Sequence, residues 1–193
     1  MKDDSIREQL VFYAQRAYHR GLVGGTGGNF SARISKGRMA ITPSGVSLAD
    51  TTLENLITVD INTYQWDPVG PFVASKEYRF HADILRLRPD INSVLHIHSP
   101  YATAYAVKGK NIPMVTDAAF KQAKVPFVGF APSGTHELQQ NMAEAIESNP
   151  ECRVILMEKH GMAALGKDVV SAYDMADLHE EIARIAFLSE TLP

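Results

Sequence analysis

The stretch Ser93-Val94-Leu95-His96-Ile97-His98 decides how the rest of the chain is read. Its alternation is that of a strand, where successive side chains point to opposite faces. His96 and His98 therefore share one face, about 6.6 Å apart along the strand, while Leu95 and Ile97 pack inward on the other. Two imidazoles so arranged either reach one zinc, at about 2.1 Å per nitrogen, or are held by ordinary hydrogen bonds. Both readings stand on the strand alone.

Outward from this strand, periodicity predicts a series of short elements. A helix is expected from Ser5 to His19, with Ile6, Leu10, Ala14 and Ala17 on one face. Strands are expected at Phe30–Ile34, Met39–Thr42 and Leu56–Asp60, and Trp66 is expected to pack over the sheet edge. A helix follows from Ser75 to Leu87, with Ser75 as its cap, and another from Glu137 to Ile146. Val125–Phe130 reads as extended, and Val154–Met157 as an apolar strand that resumes at Met162–Leu165 after Glu158-Lys159-His160-Gly161. A long last helix starts near Asp168 and carries Met175, Leu178, Ile182, Ile185 and Leu188 on one stripe. Strands and helices are interspersed without regular βαβ alternation, which predicts a layered α/β sandwich.

The chain has 193 residues, which suits one domain spanning 1–193, and 45% hydrophobic against 21% charged residues is a folded rather than a disordered balance. A formal charge of −3 gives no broad basic face, so nucleic acid is not an expected partner. The single cysteine, Cys152, excludes an intramolecular disulfide and is read as a buried, inert thiol. The N-terminus carries acids rather than an apolar signal region, and no run approaches the ~18 apolar residues of a membrane span. A soluble, cytoplasmic protein without membrane partners is the expectation.

Other residues extend the candidate site. His160 ends an apolar strand before Gly161 and could supply a third imidazole, since a catalytic zinc takes three protein ligands and keeps one position open. Glu77, in the first turn of the Ser75 helix, is a candidate base whose anion the helix dipole favours, or else an exposed capping glutamate. Five glycines occur between Gly21 and Asn29, so this loop can present backbone amides to an anion, yet it matches no nucleotide-binding signature. Thr42-Pro43-Ser44-Gly45 and Ser75-Lys76 add hydroxyl, amide and ammonium donors; together these suggest phosphate. His81 is read as structural, and His19, His136 and His179 as surface residues.

Six motifs, Thr26-Gly27-Gly28-Asn29, Thr42-Pro43-Ser44-Gly45, Ser75-Lys76-Glu77, Arg88-Pro89-Asp90, His96-Ile97-His98 and Lys159-His160-Gly161, stand in the order seen in the class II aldolase/adducin family. From about Gly21 to Leu188 the chain resembles that family, which includes fuculose-phosphate aldolase, ribulose-phosphate 4-epimerase, methylthioribulose-phosphate dehydratase and 3-oxo-tetronate 4-phosphate decarboxylase. The resemblance implies an α/β/α sandwich around a central, mainly antiparallel sheet, assembled as a homotetramer. It gives His96, His98 and His160 to Zn2+ or another divalent metal, Glu77 to acid–base catalysis, and Gly28, Asn29, Ser44, Gly45, Ser75 and Lys76 to phosphate binding.

The implied reaction breaks a C–C bond of a small phosphorylated keto-sugar or keto-acid through a metal-bound enediolate. Lys76 stands where aldolase members have a second serine, Asp117 lies near the position of an aldolase tyrosine, and the sequence ends at Pro193 without a tyrosine-bearing tail. These departures favour decarboxylation over retro-aldol cleavage. An epimerase or dehydratase on the same scaffold, or an adducin-like interaction module, are the alternatives.

Overall fold

Strand β4 (Ser93–Ile97) is the middle strand of a seven-stranded sheet and is buried at every position in the computed structural model, which describes residues 2–193. It pairs antiparallel with β1 (Asn29–Ser35) on one side and with β7 (Gly161–Gly166) on the other. Beyond β1 lie β2 (Arg38–Ile41) and β3 (Ile57–Asp60); beyond β7 lie β6 (Val154–Met157) and β5 (Phe127–Val128). Only the β5–β6 pairing is parallel.

The alternation of β4 separates two cores. Leu95 and Ile97 face α1 (Lys2–His19), α3 (Pro100–Val107) and α6 (Val169–Thr191), packing in one cluster with Leu10, Ala14, Ala102, Ala106, Ala176 and Ala183. Val94 faces α2 (Tyr78–Leu87) and α5 (His136–Ser148), in a second cluster with Phe80, Ile84, Leu138 and Met142. The result is the three-layer α/β/α sandwich with a mainly antiparallel sheet. Each fully buried Leu, Ile or Val contributes roughly 1.5–3 kcal/mol of transfer free energy, so the two faces of β4 hold both outer layers to one strand.

Several elements differ from the sequence reading. Helix α2 begins at Tyr78 rather than at Ser75, because Ser75 to Glu77 form a turn closed by the Tyr78 N–H donating to the Ser75 carbonyl at 3.0 Å. Met162–Leu165 does not continue β6. Lys159 takes a positive φ of 55°, the chain reverses, and β7 returns antiparallel with Gly161 opposite Met157. Of Val125–Phe130, only Phe127–Val128 pairs as strand. Helix α3 and the short α4 (Asp117–Phe120) have no counterpart in the reading.

The stripe on α6 is only partly buried. Ile182 is in the core and Met175 and Leu178 pack against it, but Ile185 and Leu188 are 38% and 44% exposed. Trp66 bridges to Val59 on edge strand β3, as expected. Cys152 is buried, and burial pushes its thiol pKa up. No described helix is long and apolar enough to cross a membrane.

His179 is a further correction. It is 2% exposed, inside the α6 packing face, with Nδ1 donating to the Met175 carbonyl at 2.8 Å. Burial pushes its pKa below the ordinary 6.5, against the opposing Met175 hydrogen bond. A buried neutral histidine binds no proton where the unfolded chain does, so stability is full above the unfolded pKa and falls as pH drops below about 6.5. One such group changes the unfolding free energy by up to about 1.4 kcal/mol per pH unit. His179→Asn keeps a donor for the Met175 carbonyl without the titration. Urea unfolding between pH 7.5 and 5 should show a shallower acid loss in this variant than in wild type; equal slopes would contradict the assignment.

Candidate active site

The end of β4 that carries His96 and His98 meets the turn between β6 and β7, which carries His160. His96 is fully buried; its cross-strand partners are Asn29 on β1 and Ala163 on β7, both on the same face of the sheet. The small Ala163 leaves room beside the imidazole. His98 follows the last residue of β4, and its ring lies 4.7 Å from that of His96 and 5.2 Å from that of His160. One nitrogen from each of the three histidines lies within 4.8 Å of the others.

Delivering His160 to this point takes a special backbone. Lys159 is in the left-handed region (φ 55°), and the next residue, Gly161, lies against β4 so closely that a Cβ would overlap the Ile97 carbonyl and sit 2.9 Å from His98 Cδ2. On the other side, Gly28 has φ 76°, and a Cβ there would lie 2.8 Å from the His96 carbonyl oxygen. The glycine-rich loop is thus required for its close approach to the histidine strand.

Glu77 closes the cluster. It occupies the N-cap position of α2, but its carboxylate makes no capping bond and turns to the histidines instead. Oε2 lies 3.3 Å from His96 Nε2, and Oε1 lies 3.2 Å from His160 Nε2. Asn29 Nδ2 donates to Oε2 and Ser133 Oγ donates to Oε1, each at 2.9 Å. Burial works against the charge on Glu77, but hydrogen bonds from the His160 ring and the Asn29 amide oppose it, and the carboxyl is held well below its usual range.

The donor chemistry fits a bound cation. His96 Nδ1 donates to the Met162 carbonyl at 3.0 Å, and burial pushes the His96 pKa down to about 3, which leaves Nε2 as a bare lone pair. That lone pair lies 2.9 Å from His98 Nε2 and 3.3 Å from a Glu77 oxygen. Burial, with His160 adding to it, also pushes the His98 pKa down. A neutral His98 carrying its proton on Nε2 donates to that lone pair; a divalent cation would take the place of the proton and turn these nitrogens into ligands.

A cleft of about 240 Å³ opens above the cluster, lined by Thr26, Gly27, Gly28, Asn29, Pro43, Ser44, Gly45, Ser75, Lys76, Glu77, His98, Ser133 and His160. Every residue that the family resemblance gave to the site lines it, except His96, which lies beneath; Thr42, read as a further hydroxyl donor, is instead buried and accepts from the Phe30 N–H at 3.1 Å. Ser133 is the addition; nothing in its local sequence points 56 residues back to Glu77. Asn29 differs in emphasis, since its amide holds Glu77 in this structure. His81 is structural as expected, fully buried with Nδ1 2.8 Å from Ser31 Oγ. A larger hollow of about 540 Å³, beside α1 and the start of α6, contains none of the histidines or Glu77.

With this geometry in view, the family Class II Aldolase and Adducin N-terminal domain matches residues 8–187. The chain belongs to the class II aldolase/adducin family. It is 34% identical over 188 residues to an L-fuculose phosphate aldolase of Methanococcus maripaludis, covering 95% of this chain and 97% of that one. It is 36% identical over 183 residues to a 5-methylthioribulose-1-phosphate/5-deoxyribulose-1-phosphate aldolase of Rhodospirillum rubrum, covering 93% and 79% of the two. A solved L-fuculose 1-phosphate aldolase superposes with a TM-score of 0.87 at 29% identity, covering 98% of this chain and 91% of that one. With such relatives over nearly its whole length, this family member is an enzyme of the lyase class.

The turn that delivers His160 is directly testable. Gly161→Ala forces a methyl group onto the Ile97 carbonyl, and overpacking of this kind costs roughly 1–3 kcal/mol. Gly129→Ala, at a glycine with no atom near the added Cβ, is the control. Thermal unfolding and divalent-metal uptake should both suffer in Gly161→Ala alone; a silent Gly161→Ala would mean that the close approach is not needed.

Proposed function

We propose that the chain is a zinc-dependent lyase that breaks a C–C bond beside the carbonyl of a small phosphorylated keto-sugar, by retro-aldol cleavage. The observation that carries this reading is the convergence of three imidazole nitrogens and the Glu77 carboxylate beneath one cleft. The aldolase names of the relatives support the reaction type. Three imidazoles without a cysteine suit zinc.

A divalent metal held by His96, His98 and His160 would supply Lewis-acid stabilisation of the negative oxygen that develops beside the carbonyl. The protein's own groups do the rest. Glu77 accepts the proton of the substrate hydroxyl as the C–C bond breaks and the aldehyde leaves. It then returns that proton to the carbon that kept the electron pair, so atoms and charge balance. Asn29 and Ser133 hold the two carboxylate oxygens at fixed positions for this transfer. The Gly28 and Gly45 amides, the Ser44 and Ser75 hydroxyls and the Lys76 ammonium form the phosphate end of the cleft. The cleft volume, below the roughly 300–1,000 Å³ of a drug-sized site, supports a small substrate.

Decarboxylation of a phosphorylated keto-acid is the second reading. It leaves the same electron pair on carbon, and Lys76, in the cleft wall next to Glu77, suits a carboxylate as well as a phosphate. Assembly as a homotetramer in the cytoplasm completes the proposal, supported by exposed apolar side chains at Phe120, Phe187 and Leu188.

Metal analysis of the purified protein should give stoichiometric zinc, with most of it lost in a His96→Ala/His98→Ala double variant; full occupancy there would refute the site. On L-fuculose 1-phosphate or 5-deoxyribulose 1-phosphate, Glu77→Gln should lower kcat about 10²–10⁴-fold. Lys76→Ala should instead raise KM more than it lowers kcat. Turnover of keto-acid phosphates but not of either ketose phosphate would replace the first reading with the second. Light scattering at micromolar concentration should give four chain masses, and a monomer would overturn the assembly.

A further inference from the structure

We propose that Glu180 is a positioning residue for His98, acting through the backbone amides at the start of α3. The inference rests on the metal-site reading above. Helix α3 begins immediately after the histidine strand: His98 is followed by Ser99 at the N-cap and Pro100 at the first helical position. A helix start leaves its first amides without partners inside the helix. Pro100 has no N–H, Thr103 N–H donates to the Ser99 carbonyl at 2.9 Å, and the two that remain are Tyr101 and Ala102.

Ser99 has the residue type and position to cap them, yet it makes no capping bond, and its fully buried hydroxyl has no hydrogen-bond partner among the described residues. Glu180 takes both amides instead. From α6, Oε1 accepts from Tyr101 N at 2.9 Å and Oε2 accepts from Ala102 N at 2.9 Å. This carboxylate is 5% exposed. Burying a charge against two amides is a costly way to cap an eight-residue helix, because a carboxylate keeps its charge in the interior only when its oxygens are well bonded. A local serine would have met the need for helix stability alone.

What the remote cap adds is a link between the two ligand-bearing segments. His160 leads through β7 directly into α6, and α6 carries Glu180 back to the residues that follow His98. Tyr173, Ala176, Ile182 and Ala183 fix α6 in the core on either side of Glu180. The path His98–Ser99–α3–Glu180–α6–β7–His160 is therefore closed, and the spacing of His98 from His160 is set at both ends.

Glu180→Gln tests this, because it keeps the shape but turns one acceptor into an N–H facing an N–H. The protein, stripped of metal and titrated with Zn2+ against a chromophoric chelator, should bind about tenfold more weakly in the variant, the low end for groups that orient ligands from behind. Its Co2+ derivative should show shifted visible bands, a change in the ligand set that a loss of stability alone would not produce. Glu181→Gln, next along α6 but exposed and paired with Arg20, should match wild type. If Glu180→Gln does not fold, Glu180→Asp, which withdraws the carboxylate by one methylene, should show the same direction of change. Wild-type zinc affinity and an unshifted Co2+ spectrum in the folded variant would overturn the proposal while leaving the metal site intact. A wild-type protein that takes up neither metal would overturn both.

Discussion

The lone pair on His96 Nε2 has an imidazole nitrogen 2.9 Å away and a carboxylate oxygen 3.3 Å away, and much of the structure is arranged so that it stays there. Left to themselves, such groups would separate, take up protons or admit water. None of these is open to His96. Its other nitrogen is committed to the Met162 carbonyl across the sheet, its ring is fully buried, and its strand is covered on both faces. Glu77 is pinned in the same way, by Asn29 and Ser133. The cluster is preorganised in the sense that its partners are fixed by the fold rather than by one another.

That fixation explains why the site lies at the end of the central strand. An edge strand has one neighbour and one free row of amides; β4 has β1 and β7 on its two sides and a helical layer on each face. Asn29 and Ala163 are its cross-strand partners at His96, so one neighbour brings the amide that holds the Glu77 carboxylate and the other is a small side chain beside the imidazole. Close approach then constrains the connections. Gly28 and Gly161 flank the histidine strand from opposite sides because no side chain fits at either place, and Lys159 is held in a sparsely populated backbone conformation to turn His160 inward.

What could be read in advance divides along the same physical lines. The strand of His96 and His98, the first and last helices and the layered architecture follow from periodicity, which is local. Helix α3 is not legible in the sequence because Pro100–Val107 is rich in small and aromatic residues that carry no polar face, so nothing in its pattern separates helix from loop. The turn at Lys159 leaves no local signal, because lysine is not a turn residue and yet takes a φ of 55°. His179 looked like a surface residue on an amphipathic helix, but α6 buries Tyr173, Ala176, Ile182 and Ala183 and takes His179 into that face. Ser133 was invisible because its partner is brought to it by the tertiary fold.

Asn29 shows how the resemblance and the geometry combine. Motif position alone gives it to phosphate, together with Gly28, Ser44, Gly45, Ser75 and Lys76. In the structure one of its amide hydrogens goes to Glu77, and its Oδ1 is buried without a hydrogen-bond partner among the described residues. An amide has two N–H groups, so at most one is left for an anion in the cleft. A phosphate bound there would therefore share Asn29 with the Glu77 carboxylate, whereas the Ser75 hydroxyl meets Glu77 only at its backbone N–H, at 3.4 Å, and keeps its own proton to donate. The cleft and the carboxylate thus share a single side chain: Asn29 lines the cleft and donates to the Glu77 oxygen that lies 3.3 Å from His96 Nε2.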